Sequence, residues 1–169
     1  VEGAGPTIGG AAATASPTSP PPRLVVRTLE NTSFEPNLEA RYTNYLRHEF
    51  SSGSGAQIVP DTEAADLVLS GQILSVSLPT LSFSQTTTLE SRAEVVVMIK
   101  VEESRTKRVV WAQTAKGSSE FYVTPDLQFN RVLQNRALEH AGRFIAEDLT
   151  SRCLLQLGSG QMATPILRP

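Results

Sequence analysis

The side chains that carry out chemistry in proteins are sparse in this chain of 169 residues, and they stand apart from one another. His48 and His140 are its two histidines, and neither belongs to an HExxH motif or to a His/Asp/Glu cluster able to hold a metal. Each is read as a surface or boundary residue on a helix. The serines include no G-x-S-x-G elbow, and Gly71 follows strand residues without the Gly-rich loop that a phosphate cradle requires. Glu102 and Glu103, like Glu147 and Asp148, are adjacent. On a strand such neighbours point to opposite faces, and on a helix they diverge by about 100°, so neither pair is poised for acid–base work. Cys153 is the one cysteine, which excludes an internal disulfide, a zinc site built on cysteines and a Cys-x-x-Cys redox pair. With no histidine near it in sequence to lower its pKa, it is read as a small buried or half-buried thiol. The expectation is a protein that is not an enzyme and uses no metal or cofactor.

Charge narrows the partners. Lys and Arg number 15 against 17 Asp and Glu, a net charge of -2, so there is no global field to gather nucleic acid, whose binding rests on neutralising many phosphates. The bias is local instead. Arg92, Lys100, Arg105, Lys107, Arg108 and Lys116 face only Glu94, Glu102 and Glu103 in the same stretch. Two readings stand side by side: cations that protect a sheet edge and turn from pairing with other sheets, or a cationic rim beside an apolar patch that suits a phosphate-bearing amphiphile.

Those residues must be positioned by the periodic middle of the chain. Residues 1–22 hold five of the eleven prolines, four of the eleven glycines and one charge, Glu2, too little apolar area to offset backbone ordering, and are expected to be a disordered tether. Residues 158–169 are expected to be a flexible tail. Between them, residues 23–157 read as one α+β domain. Residues 23–30 form a strand apolar on both faces, Pro36 suits the first turn of a helix, and Leu38, Tyr42, Tyr45, Leu46 and Phe50 recur at helical spacing up to about Ser51. Residues 56–60 make a minimal strand. In residues 67–83 the apolar parity switches between Ile73 and Leu74 and again near Leu81, which predicts a bulge near residues 71–74 and a break at Pro79. After a polar connector from Gln85, Ala93, Val95, Val97, Ile99 and Val101 form a continuous apolar face, and the turn at residues 104–107 makes a hairpin whose pairing extends to Tyr122. A long helix then runs to about Leu157 with Phe129, Val132, Leu133, Ala137, Ala141, Phe144, Ile145 and Leu149 on one stripe. The order predicts a mixed four- to five-stranded sheet with two helices packed on one face. The longest apolar run, residues 95–99, is far short of the roughly 20 residues of a membrane-spanning helix.

In order and spacing, RLVVRTLENTSFEPNLEARYTNYLRHEF, ADLVLSGQI, RAEVVVMIKVEE, VVWAQ and SSEFYVTPD before a long helix resemble the lipopolysaccharide-assembly lipoprotein family, LptE. The resemblance spans residues 23–157. It implies a protein anchored by lipid on the periplasmic side of the cell outer membrane, which plugs and supports the LptD β-barrel and assists lipopolysaccharide transport and insertion into the outer leaflet. Family members carry a lipidated cysteine at the mature N-terminus. This chain opens at Val1, and its Pro/Gly/Ala-rich start is what is expected downstream of such a residue. A plug that touches lipopolysaccharide needs cations for phosphates beside apolar surface, and Arg92, Lys100, Lys107, Arg108 and Arg131 are the candidates. The alternative is a periplasmic regulatory lipoprotein of the LpoB or CsgG type that binds a cell-envelope synthase or secretion assembly, since VVRTLENTSFEP resembles the strand-to-helix start of those proteins as well.

Overall fold

A computed structural model of the chain describes residues 20–83 and 88–159. The tether expected at residues 1–22 falls largely outside the described residues, as do residues 84–87 of the connector and residues 160–169 of the tail.

The chain enters the sheet through β1 (Arg23–Val26), whose Leu24, Val25 and Val26 are all buried. The single strand expected over residues 23–30 is divided. Arg27 still donates its N–H to the Leu69 carbonyl at 2.9 Å, but the Leu29 N–H turns to Thr43 Oγ1 at 2.9 Å, on the first helix, and pairing resumes only at β2 (Glu30–Asn31). Asn31 then organises the turn. Its Oδ1 accepts from the Ser33 N–H at 2.9 Å, and its Nδ2 donates to the Glu35 carbonyl at 2.7 Å and to Glu39 Oε1 at 3.0 Å. Helix α1 (Leu38–Ser52) starts two residues after Pro36, because Asn37 stands between them at φ 62°, a left-handed conformation that asparagine tolerates. Its buried face is Leu38, Tyr42, Thr43, Leu46 and Phe50.

After β3 (Gln57–Ile58), Asp61 caps a short 3-10 turn and Asp66 accepts from the Arg23 N–H at 2.9 Å and from Arg23 Nη2 at 3.0 Å, fixing the start of β4 (Leu67–Ser77) against β1. The parity switch within β4 is a register shift between Ile73 and Ser75 that leaves Leu74 unpaired and 41% exposed. Beyond Pro79 lies β5 (Thr80–Phe83), followed by β6 (Thr88–Glu103) and β7 (Val109–Tyr122), which pair antiparallel along almost their whole length. Strand β4 runs parallel to β1 and β2 on one side and antiparallel to β6 on the other, and β3 adds parallel to β1. Strands β5 and β7 flank β6 on opposite sides, since both pair with Glu90 and Ser91. Five strands of four residues or more therefore carry the sheet, with β2 and β3 as two-residue additions.

Helix α2 (Leu127–Gly158) begins where the Asp126 carboxylate accepts from the Gln128 and Phe129 N–H groups at 3.0 and 3.2 Å. It packs beside α1 on the sheet face formed by Ala93, Val95, Val97, Ile99 and Val101, all 0 to 1% exposed. The α1–α2 seam is tight. Tyr42 donates its hydroxyl proton to the Leu138 carbonyl at 2.7 Å, and its ring lies where a Cβ on Gly142 would stand. The apolar stripe expected on α2 is corrected at three places: Phe129 and Val132 are 49% exposed and Phe144 is 55% exposed, while Leu138, Gly142, Ala146 and Cys153 fill the seam instead. The reason is length. A helix of 32 residues extends about 48 Å, more than twice the 15-residue α1 it leans on, so Phe129 and Val132 lie ahead of Asn135, whose carbonyl accepts from Arg41 of α1 at 3.2 Å.

Candidate functional site

Arg92, Lys100 and the turn residues share the β6–β7 hairpin, but β structure spreads them out. At about 3.4 Å per residue, Lys100 lies about 27 Å along β6 from Arg92, and the turn lies beyond Glu103. Arg92 and Lys100 occupy even positions of β6, on the sheet face opposite the helices, where side chains alternate with the buried odd row. Arg92 is clamped by two carboxylates, Nη2 to Glu120 at 3.2 Å and Nη1 to Glu94 at 3.3 Å, and the Glu120 bond foremost raises its pKa above the ordinary arginine value. Lys100 Nζ reaches Glu102 at 3.5 Å.

Lys107 sits at φ 64° in the hairpin turn, its N–H donating to the Glu103 carbonyl at 2.9 Å, and next to it Arg108 accepts from the Glu103 N–H at 2.9 Å. Both are exposed. Ser104 and Lys107 have S-x-x-K spacing, but in a turn, where Ser104 Oγ donates to the Thr62 carbonyl at 3.3 Å. Arg131 is exposed on the first turns of α2, the layer that covers the other face of the sheet from Arg92. The structure thus brings Arg92 and Lys100 onto one face, continues that hairpin to Lys107 and Arg108 at its turn, and sets Arg131 apart.

A cation that sequence reasoning missed joins them. Arg27 leaves β1 beside a groove of about 300 Å³ shared with Glu30, Gly71, Gln72, Met98 and Lys100. Gly71 lets β4 and β6 close together under this groove, since a Cβ there would lie 2.9 Å from Ile99 Cα on the buried side of the sheet. Among the described residues Arg27 has no carboxylate partner. Half-buried Val96 and Met98 lie between Arg92 and Lys100 on the same face. Nothing in the sequence placed Arg27 near Lys100, because that neighbourhood depends on β4 lying between β1 and β6. The face carries Arg27, Arg92 and Lys100 with Val96 and Met98 between the last two, and Glu94, Glu102 and Glu120 as the carboxylates that pair with Arg92 and Lys100.

His48 and His140 are both exposed, and no three His, Cys, Asp or Glu side chains among the described residues could hold a metal. Cys153 is fully buried, and burial pushes its thiol up to about 12, far from a reactive thiolate. No helix among the described residues is long and apolar enough to cross a membrane.

Comparison with known proteins follows the same lines. The model of the LptE family, described as lipopolysaccharide-assembly, matches residues 22–157. None of the curated proteins matches the chain in sequence. Among solved structures, a protein from Xanthomonas campestris aligns with a TM-score of 0.60 at 14% identity, covering 88% of this chain and 93% of that one. The PelC dodecamer from Paraburkholderia phytofirmans aligns at 0.54 and 13% identity over 78% of this chain and 87% of its own. A hypothetical protein from Chlamydia trachomatis aligns at 0.52 and 10% identity over 85% and 99%. At such identities these likenesses show a shared fold.

Proposed function

The chain belongs to the LptE lipopolysaccharide-assembly family, whose members are non-catalytic assembly lipoproteins, and from that premise we propose that it plugs and supports an LptD-like β-barrel and offers lipopolysaccharide the helix-free face of its sheet. The observation that carries this reading is the extent of the family match, residues 22–157, which takes in every buried core residue from Leu24 to Cys153. Attachment to the outer membrane on its periplasmic side is through an N-terminal lipid that is not part of the sequence from Val1 onward. Arg27, Arg92 and Lys100 supply charge-assisted hydrogen bonds to lipid A and core phosphates, with Val96 and Met98 as apolar surface between them, and Lys107 and Arg108 extend the cationic row at the turn. Arg131, across the sheet, stands outside this contact.

Two measurements test the proposal. Capture of the tagged chain from outer-membrane extract is expected to recover a large β-barrel protein; recovery of a peptidoglycan synthase in its place would overturn the barrel reading in favour of the regulatory one. Direct lipopolysaccharide binding by Arg27→Glu/Lys100→Glu is expected to fall roughly tenfold, about 1.4 kcal/mol for two lost charge-assisted bonds, with the melting temperature little changed. Unaltered affinity in the folded double variant removes the contact face.

A further inference from the structure

Strand β7 is the outer strand of the sheet beyond β6, and one of its two hydrogen-bonding edges has no partner strand among the described residues. Which residues face outward follows from the ladder. The Val123 N–H donates to the Leu89 carbonyl at 2.9 Å, and Leu89 and Val123 continue the same pairing as Ser91↔Phe121. The odd residues of β7 therefore spend their backbone groups on β6, and Thr114, Lys116, Ser118, Glu120 and Tyr122 turn theirs to the open edge. The side chains of those five are exposed as well, Tyr122 by 72%. A strand of 14 residues left open in this way is a template for another strand.

We propose that the occupant of this edge is a second copy of the same chain, joined β7 to β7 in antiparallel register about a two-fold axis at Ser118. Of the registers that pair outward residues, the one about Ser118 is the one that sets Lys116 opposite Glu120. An axis at Lys116 sets lysine against lysine, and an axis at Glu120 sets glutamate against glutamate. With the axis at Ser118, Lys116 lies opposite Glu120 of the copy twice over, and Thr114 lies opposite Tyr122, a pairing of a β-branched and an aromatic side chain. Lys116 has no carboxylate partner within its own chain among the described residues, while Glu120 already holds Arg92 at 3.2 Å, so the added lysine completes a chain of alternating charge. Five pairs of outward residues exchange about ten backbone hydrogen bonds in this register.

A second observation falls at the same axis. Above β7, α2 comes down at Gly117, where a Cβ would lie 2.5 Å from the Ala141 carbonyl oxygen and 2.8 Å from Ile145 Cγ1. Phe144, between those two residues in sequence, is 55% exposed. At about 100° per residue it projects on the flank opposite Leu138 and Gly142, which face α1, and so overhangs the open edge. A two-fold axis at Ser118 brings the two Phe144 rings together over the joined strands. The edge, the charge alternation and the exposed ring all converge on one site for a symmetric dimer.

The test uses the full chain and two charge reversals. The wild-type protein is expected to sediment as a monomer–dimer equilibrium in analytical ultracentrifugation. Lys116→Glu places glutamate opposite glutamate, and Glu120→Lys places lysine opposite lysine, so each alone is expected to raise the dissociation constant roughly tenfold. Mixed together, the two variants pair opposite charges at every contact, and a one-to-one heterodimer is expected with wild-type affinity. That restoration also shows that both variants are folded. A wild-type chain that stays monomeric through the concentration series overturns the proposal, as does self-association that is unaffected by either reversal, or a mixture that fails to recover.

Discussion

Gly142 shows how much one residue decides. Its missing side chain leaves room for the Tyr42 ring, whose hydroxyl reaches Leu138 across the seam, so both helices depend on a hydrogen atom standing where a methyl would collide. Gly142→Ala is expected to destabilise the protein by about 1–3 kcal/mol, the range for forced overpacking, and chemical denaturation of the variant with an unchanged m-value checks it. Arg143 is next in the chain and behaves differently: its guanidinium lies 4.5 Å from the centroid of the Tyr45 ring and bonds Glu139 at 2.9 Å, a contact on the surface of the same seam. The sequence made some residues of this kind legible and not others. The parity change between Ile73 and Leu74 marked the bulge because a slip in a strand reverses every later side chain. Gly142 carried no such mark, since a glycine inside an amphipathic helix reads as neutral until the aromatic ring that needs it is known.

At the scale of elements, the hairpin and both helices were readable because each is long enough for its period to show. Residues 88–122 pair with themselves through a local turn, and no distant segment is needed to explain their alternation. Helix α2 was legible as a helix, and Ala137, Ala141, Ile145 and Leu149 of its expected stripe are buried, but Phe129, Val132 and Phe144 satisfy the same apolar period while standing half exposed. What stabilises its beginning is polar. Thr124 donates its N–H to Asn130 Oδ1 at 2.7 Å, Asn130 returns a bond to the Thr124 carbonyl at 2.7 Å, and Asp126 caps the first N–H groups. Asp126→Ala is expected to cost about 1 kcal/mol, seen as a lower melting temperature and faster hydrogen exchange confined to the first turns of α2. Of the candidate contact residues, Arg92 and Lys100 were readable as one face from their even spacing. Arg27 was not, because strand order is a long-range property that no local period reports.

For the whole molecule, the two helices and the sheet close around a main core whose residues run from Leu24 to Cys153, and Val25, Ala65 and Val68 form a smaller cluster apart from it. A chain shortened to begin at Pro20 is expected to keep the melting temperature of the full chain, and a loss of more than a few degrees by calorimetry would show that residues 1–19 contribute to the fold. The core also joins segments far apart in sequence: Tyr42 meets Leu138, 96 residues later, and β1 rests on β4, while β6 and β7 meet through a tight turn. The cost of loop closure rises with separation, so local pairings form before distant ones. It follows that α1, synthesised well before the hairpin, is the last to complete its packing. The hairpin can organise early, whereas the Tyr42 side of α1 has no seam to close on until α2 has been delivered. Folding of this chain is completed from its C-terminal end, and any factor that shields it in transit has to hold the residues made first for longest.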